Sequence, residues 1–197
     1  MTRTRLILAA ALTLTVAACD KPAATPETPA AAAPAATPAA PAAPATPAMP
    51  LKLALTGEGL TVIAESGSTQ LLAFSRDKAQ TLVTMSRVEP APGVESVNTE
   101  CGAGTLTFVE WPGGLTLLFQ ENRFAGWTMD KAGLTTMDGI GVGSTRAQLL
   151  AARPDTTVED STLGTEFAVA DMGGLFEDKA PDAKITHLWA GVTCAFR

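Results

Sequence analysis

Three cysteines, one histidine and a run of glycines are the residues of this 197-residue chain best suited to chemistry. Cys19, Cys101 and Cys194 show no Cys-x-x-Cys spacing, the arrangement that zinc sites and thiol–disulfide motifs share, so neither metal nor redox catalysis is expected. His187, within Ile185-Thr186-His187-Leu188-Trp189, would need an activated nucleophile and an orienting acid to serve as a catalytic base. No Gly-x-Ser-x-Gly elbow supplies the nucleophile, and the default is a strand histidine, partly packed. The string Gly139-Ile140-Gly141-Val142-Gly143-Ser144 could bring backbone N–H groups close to a phosphate at a helix start. It lacks the lysine of a P-loop and the strand and later acid of a dinucleotide fold, so it reads as the entry into a capped helix, with no nucleotide expected. Glu177, Asp178 and Asp182 form an acidic loop whose spacing fits no EF-hand and reads as a solvated turn. Trp127 and Trp189 read as core. No catalytic residue, metal or cofactor is expected.

The address of the chain is written in its first residues. Met1 to Arg5 carries two arginines, Leu6 to Ala18 is apolar and uncharged, and small residues lead to Cys19: the layout of an export signal with its cleavage site. The apolar run is roughly a dozen residues, short of the about twenty that span a bilayer as a helix. Val16-Ala17-Ala18-Cys19 resembles the lipobox of bacterial lipoproteins. The resemblance implies that residues 1–18 are removed and that the sulfur of Cys19 carries diacylglycerol. Two or three acyl chains, at about 0.8 kcal/mol per buried methylene, would then hold the mature chain to membrane lipid. Asp20 implies retention in the inner membrane where the sorting rule of enteric bacteria operates, and the outer membrane otherwise. With Cys19 assigned to lipid and the domain on the oxidising periplasmic side, Cys101 is expected to pair with Cys194.

Loss of Arg3 and Arg5 takes the basic count from 14 to 12 against 20 acids, a charge of about −8. An acidic body with scattered lysines and arginines is a poor partner for nucleic acid or anionic lipid surfaces, which need clustered cations.

Residues 19–50 are expected to form a tether. From Pro22 to Pro50 the composition is almost wholly Ala, Pro and Thr, and the recurrent proline defeats the helix that alanine would favour. An extended spacer at about 3.1 Å per residue could reach roughly 90 Å.

Residues 51–197 are long enough for one domain with its own core. Within it, 104–115 (GTLTFVEWPGGL) and 164–175 (GTEFAVADMGGL) share Gly-Thr, a central Val and Gly-Gly-Leu. Lys78 to Leu82 matches Arg146 to Leu150, and Trp127 matches Trp189, in the same order. Two units are therefore expected, about 70–130 and about 138–197. Each opens with a short helix: Ser75 capping Arg76 to about Val88 with Ala79, Leu82 and Val83 on one face, and Ser144 capping Thr145 to Arg153 with Ala147, Leu150 and Ala151 on the matching face. Expected strands follow at Thr105–Trp111, Leu115–Gln120 and Arg123–Thr128, then Glu166–Asp171, Lys184–Ala190 and Val192–Phe196, with Leu51–Thr56 and Leu60–Ile63 adding to the sheet. The expected fold class is α+β, two tandem helix-plus-antiparallel-meander repeats forming one domain with short helices on a sheet.

The segments Gly141 to Leu150 and Leu117 to Phe124 resemble the helix start and strand-turn-strand of small lipoprotein domains related to the β-barrel-assembly accessory lipoprotein and to β-lactamase inhibitor protein. Those domains bind proteins and bring no catalytic residues with them. The two-unit layout is shared with the inhibitor and not with the assembly lipoprotein, and the cysteine pair aligns with neither. The resemblance implies a non-catalytic envelope module that binds another protein. The alternative is a small-ligand-binding or weakly hydrolytic domain with its pocket between the units.

Overall fold

Short runs of apolar and β-branched residues, broken by two-residue turns, drive this chain into antiparallel sheet. The computed structural model describes residues 51–194. Cys19, the signal segment 1–18 and the tether 19–50 lie outside the described residues. A first sheet of three strands takes β1 (Lys52–Thr56), β2 (Gly59–Ile63) and β3 (Thr69–Ala73) in chain order. After it come α1 (Lys78–Val88), β4 (Val94–Asn98), β5 (Leu106–Glu110), β6 (Leu115–Gln120) and β7 (Arg123–Met129). The remainder is α2 (Arg146–Ala152), β8 (Thr157–Ser161), β9 (Gly164–Val169), β10 (Met172–Phe176) and β11 (Ile185–Gly191). These last eight strands form one antiparallel sheet in the order β4-β5-β6-β7-β11-β10-β9-β8.

The α+β expectation of two tandem helix-plus-meander repeats is corrected. Among the described residues, eleven strands stand against two helices of 11 and 7 residues, so the domain is predominantly β. Several strands were concealed by their composition. β4 (VESVN) and β8 (TVEDS) are the margins of the large sheet, wet on nearly every residue, and carry no buried-face alternation. β10 begins Met172-Gly173-Gly174, which reads locally as a turn. The expected strand Val192–Phe196 does not form over 192–194, where the chain leaves β11, and 195–197 lie outside the described residues.

Both helices begin later than their serines suggested. Asp77 caps α1 by accepting the Gln80 N–H at 3.2 Å, and Thr145 caps α2 through a capping box with Gln148. Their buried faces also differ from the expected ones. Thr81 and Met85, one turn apart, are the buried residues of α1, and Thr81 tolerates burial because its hydroxyl donates to the Asp77 carbonyl at 2.8 Å. Ala79 and Val83 face outward; in α2 Leu149 is buried while Ala147 and Ala151 are exposed.

One continuous core joins these layers. It gathers Leu55, Leu60 and Leu72 from the small sheet, Met85 and Leu149 from the helices, and Leu117, Phe119, Trp127, Met129, Leu188 and Phe167 from one face of the large sheet. Trp127 ties the two sheets together: its indole N–H donates to the Thr56 carbonyl at 2.9 Å. The opposite face of the large sheet carries only a small cluster, Cys101, Leu106 and Leu118, with Phe108, Val192 and Cys194 against it.

Candidate functional site

Strand register assigns side chains to faces without ambiguity, because paired residues share a face and neighbours alternate. Trp127 pairs with Ala190 and Trp189 with Thr128, so the two tryptophans point to opposite sides of the sheet. Trp127 belongs to the core; Trp189, expected there too, stands half-buried on the open face, and that expectation is corrected. Trp189 occupies a rung that runs through Thr116, Thr128, Trp189, Gly173 and Ala168 from β6 to β9.

Glycine makes room for it. A Cβ built on Gly173 would lie 2.5 Å from the Trp189 Nε1 and 2.7 Å from Cε2, so the indole lies flat over a backbone that has no side chain. Gly126 serves the tail of the chain in the same way: a Cβ there would meet the Val192 carbonyl oxygen head-on. After β11 the chain crosses the open face at Gly126, the Val192 N–H donating to the Ala125 carbonyl at 2.9 Å. It then reaches Cys194, which is disulfide-bonded to Cys101 in the connection between β4 and β5, Cα to Cα 5.0 Å.

The result is an apolar trough. A cavity of about 240 Å³ is lined by Phe108, Leu118, Thr128, Leu163, Trp189, Thr193 and Cys194. Phe108 lies on β5 and Leu163 in the hairpin turn joining β8 to β9, and β5 and β9 are five strand positions apart in the sheet. On a flat sheet five spacings are about 24 Å, so residues that share so small a cavity show that the sheet curls around this face. A second cavity of about 220 Å³ adjoins on the far side of Trp189, with Glu159, Glu166, Ala168 and Gly173 in its walls. Leu163 is 39 % exposed, and its side chain forms part of the trough rim.

The residues singled out for chemistry do not converge. His187 is exposed on β11, its Nδ1 3.0 Å from the Thr186 hydroxyl, and it lines neither cavity. In the acidic loop, Asp178 accepts the Ala180 N–H at 2.7 Å and Glu177 the Lys184 N–H at 3.4 Å, which makes these carboxylates braces of a turn. The glycine string is also internally satisfied, the Gly141 N–H donating to the Ser144 hydroxyl and the Ser144 N–H to the Gly141 carbonyl. Among the described residues no three His, Cys, Asp or Glu side chains cluster as a metal site would require. The shifted carboxyls lie outside both cavities. The Arg153 guanidinium holds Asp138 down at about 2, and a hydrogen bond from Lys179 lowers Asp160. Sequence reasoning missed Leu163 and the trough itself; Trp127 and Trp189 are each the fifth residue of a seven-residue strand, so nothing local parts them and only the pairing of β7 with β11 does.

No protein-family profile matches the chain, and no curated protein does. Among solved structures, the uncharacterized protein yfeY from Escherichia coli is similar at 8% identity, covering 74% of this chain and 97% of that one, with a TM-score of 0.44.

Proposed function

We propose that this chain is a membrane-anchored periplasmic lipoprotein without catalytic activity, held to lipid through Cys19, whose open sheet face binds a protein of the cell envelope. The observation that carries the binding half is the trough around Trp189: an aromatic anchor beside Phe108, Leu118 and Leu163 on a curled face, with its wall fixed by a disulfide. Protein interfaces concentrate their energy in such aromatic positions, rimmed by residues that exclude water. The apolar cavity of about 240 Å³ is smaller than the roughly 300–1,000 Å³ of small-molecule sites and suits one projecting apolar side chain of a partner better than a whole ligand, while its neighbour of about 220 Å³ carries Glu159, Glu166 and Asp171. The anchoring half rests on the lipobox resemblance of Val16 to Cys19.

Two experiments test the reading. Mass spectrometry of the protein from its native host should find diacylglycerol on Cys19; an unmodified amino terminus removes the anchor. A photoreactive residue in place of Leu163 should give a discrete crosslinked species in intact cells, lost when Trp189→Ala is added. Crosslinks identical to those from the exposed control position Met137, or unaffected by Trp189→Ala, would remove the trough from consideration.

A further inference from the structure

Another cavity lies away from the trough. A groove of about 630 Å³ runs between α1 and one end of the three-stranded sheet. Its helical wall is the face that the core does not use. Arg76, Ala79, Gln80, Val83, Thr84 and Arg87 recur at helical spacing, so they line one side of α1 and the residue pair that leads into it. The facing wall is sheet: Val62 on β2 pairs with Gln70 on β3, and Leu51 and Ala64 continue that face beyond the strand ends.

Two properties of this groove favour a ligand. First, its charge opposes that of the molecule. The chain has a formal charge of −6, yet among the described residues the groove is lined by two arginines and no aspartate or glutamate. Second, the Arg76 guanidinium is incompletely satisfied: its Nε is buried with no hydrogen-bond acceptor among the described residues. A guanidinium N–H removed from water without an acceptor is unfavourable, and an anion toward which the Arg76 side chain turns would relieve it through paired hydrogen bonds to the planar fork.

Between the arginines the walls are mixed. Leu51, Val62 and Val83 are apolar, and Val83 is 56 % exposed on a helix whose other face is core. The two arginines stand at opposite ends of the helical wall, Arg76 two residues before α1 begins and Arg87 one residue before it ends. We propose that this groove binds an organic anion with an apolar body, a phosphate or carboxylate head on Arg76 and a hydrocarbon segment along Leu51, Val62 and Val83, with Arg87 supplying attraction at the far end. Its volume lies within the roughly 300–1,000 Å³ of small-molecule sites. The head group could belong to a membrane lipid or to a soluble compound, and the experiment separates the two.

The test uses the whole chain carrying Cys19→Ser, so that no lipid of its own intervenes. Titration with hexyl phosphate, followed by amide NMR, should give saturable shifts at Gln80 and Thr84 that weaken with added salt. Arg76→Gln and Arg87→Gln should each reduce affinity, Arg76→Gln by about tenfold or more as expected for one lost charge-assisted hydrogen bond. Lys131→Gln, the same change of charge outside the groove, should leave affinity unaltered. Arg87 is exposed, so its variant keeps the test decisive even if Arg76→Gln unfolds the domain. Flotation with phosphatidylglycerol vesicles that is lost in the arginine variants assigns the head to a bilayer lipid; titration without flotation assigns a soluble anion. Absence of saturable shifts, equal weakening by Lys131→Gln, or inorganic phosphate binding as tightly as hexyl phosphate would each overturn the proposal.

Discussion

Trp127 and Trp189 stand on adjacent strands one rung apart and project to opposite faces of the eight-stranded sheet. Trp127 is fully buried and hydrogen-bonded to Thr56 across the core, whereas Trp189 lies over Gly173 in the open trough. One holds the sheets together, and the other supplies the exposed anchor.

Their substitutions should therefore part company. Trp127→Ala is expected to cost about 3–5 kcal/mol, the range for emptying a large core site, with a further loss from the orphaned Thr56 carbonyl. Trp189→Ala should cost markedly less stability and abolish partner crosslinking at Leu163. Urea unfolding of both variants, read alongside the crosslink, checks the pair.

Gly173→Val should disturb the trough more than the fold. Its side chain would occupy the space of the Trp189 indole, so the ring must swing away from the sheet. The expected outcome is a red shift of tryptophan emission and loss of crosslinking, with a destabilisation of about 1–3 kcal/mol as for other overpacked sites. Unchanged emission would mean that the indole does not rest on this glycine.

Cys101→Ser with Cys194→Ser opens a loop of 93 residues. In the chain-entropy account a closure of that length contributes about 4–5 kcal/mol. Thermal unfolding with and without reductant should show a drop in Tm of the same size as in the double variant. A reductant effect on the double variant as well would trace the loss to another cause.

Acid should weaken the domain through Asp138. Its carboxyl is held at about 2, down from 3.8, chiefly by the hydrogen bond from Arg153, with Nη2 3.1 Å from Oδ1. Because the folded form binds the proton more weakly than the unfolded chain, this contribution is complete above about pH 5 and disappears as pH falls through 4 toward 2. The two side chains are 34% and 31% exposed, and solvent screening reduces the contribution to about 1 kcal/mol or less. Asp138→Asn should flatten that part of the pH–stability curve, measured by urea midpoints between pH 2 and 6.

The sequence discloses those parts of the fold that local chemistry dictates. β6 spans the expected Leu115–Gln120 because apolar residues run between Pro112-Gly113-Gly114 and a Glu121-Asn122 turn, whose residues take positive φ of 50° and 59°. The cysteine pairing followed from there being two sulfurs left once Cys19 was assigned. What stayed hidden depends on contacts distant in the chain. Gly173 and Gly174 are strand residues because Trp189 and Phe167 need the space, and no local pattern reports that. Thr81 is core and Val83 is not, because a satisfied hydroxyl can be buried while a valine can face a groove. The polar margins β4 and β8 bury almost nothing on either face, so no alternation marks them as strands. For Trp189, only strand register gives the direction.

Those margins are unlike each other. β4 presents Val94 and Val97 at 71% and 60% exposure, while β8 presents Glu159 and Asp160 to solvent. Unpaired main-chain groups at a margin can template a foreign strand, and acidic side chains discourage it. Of the two borders, the valine side is therefore the readier template for an added strand and the acidic side the poorer one.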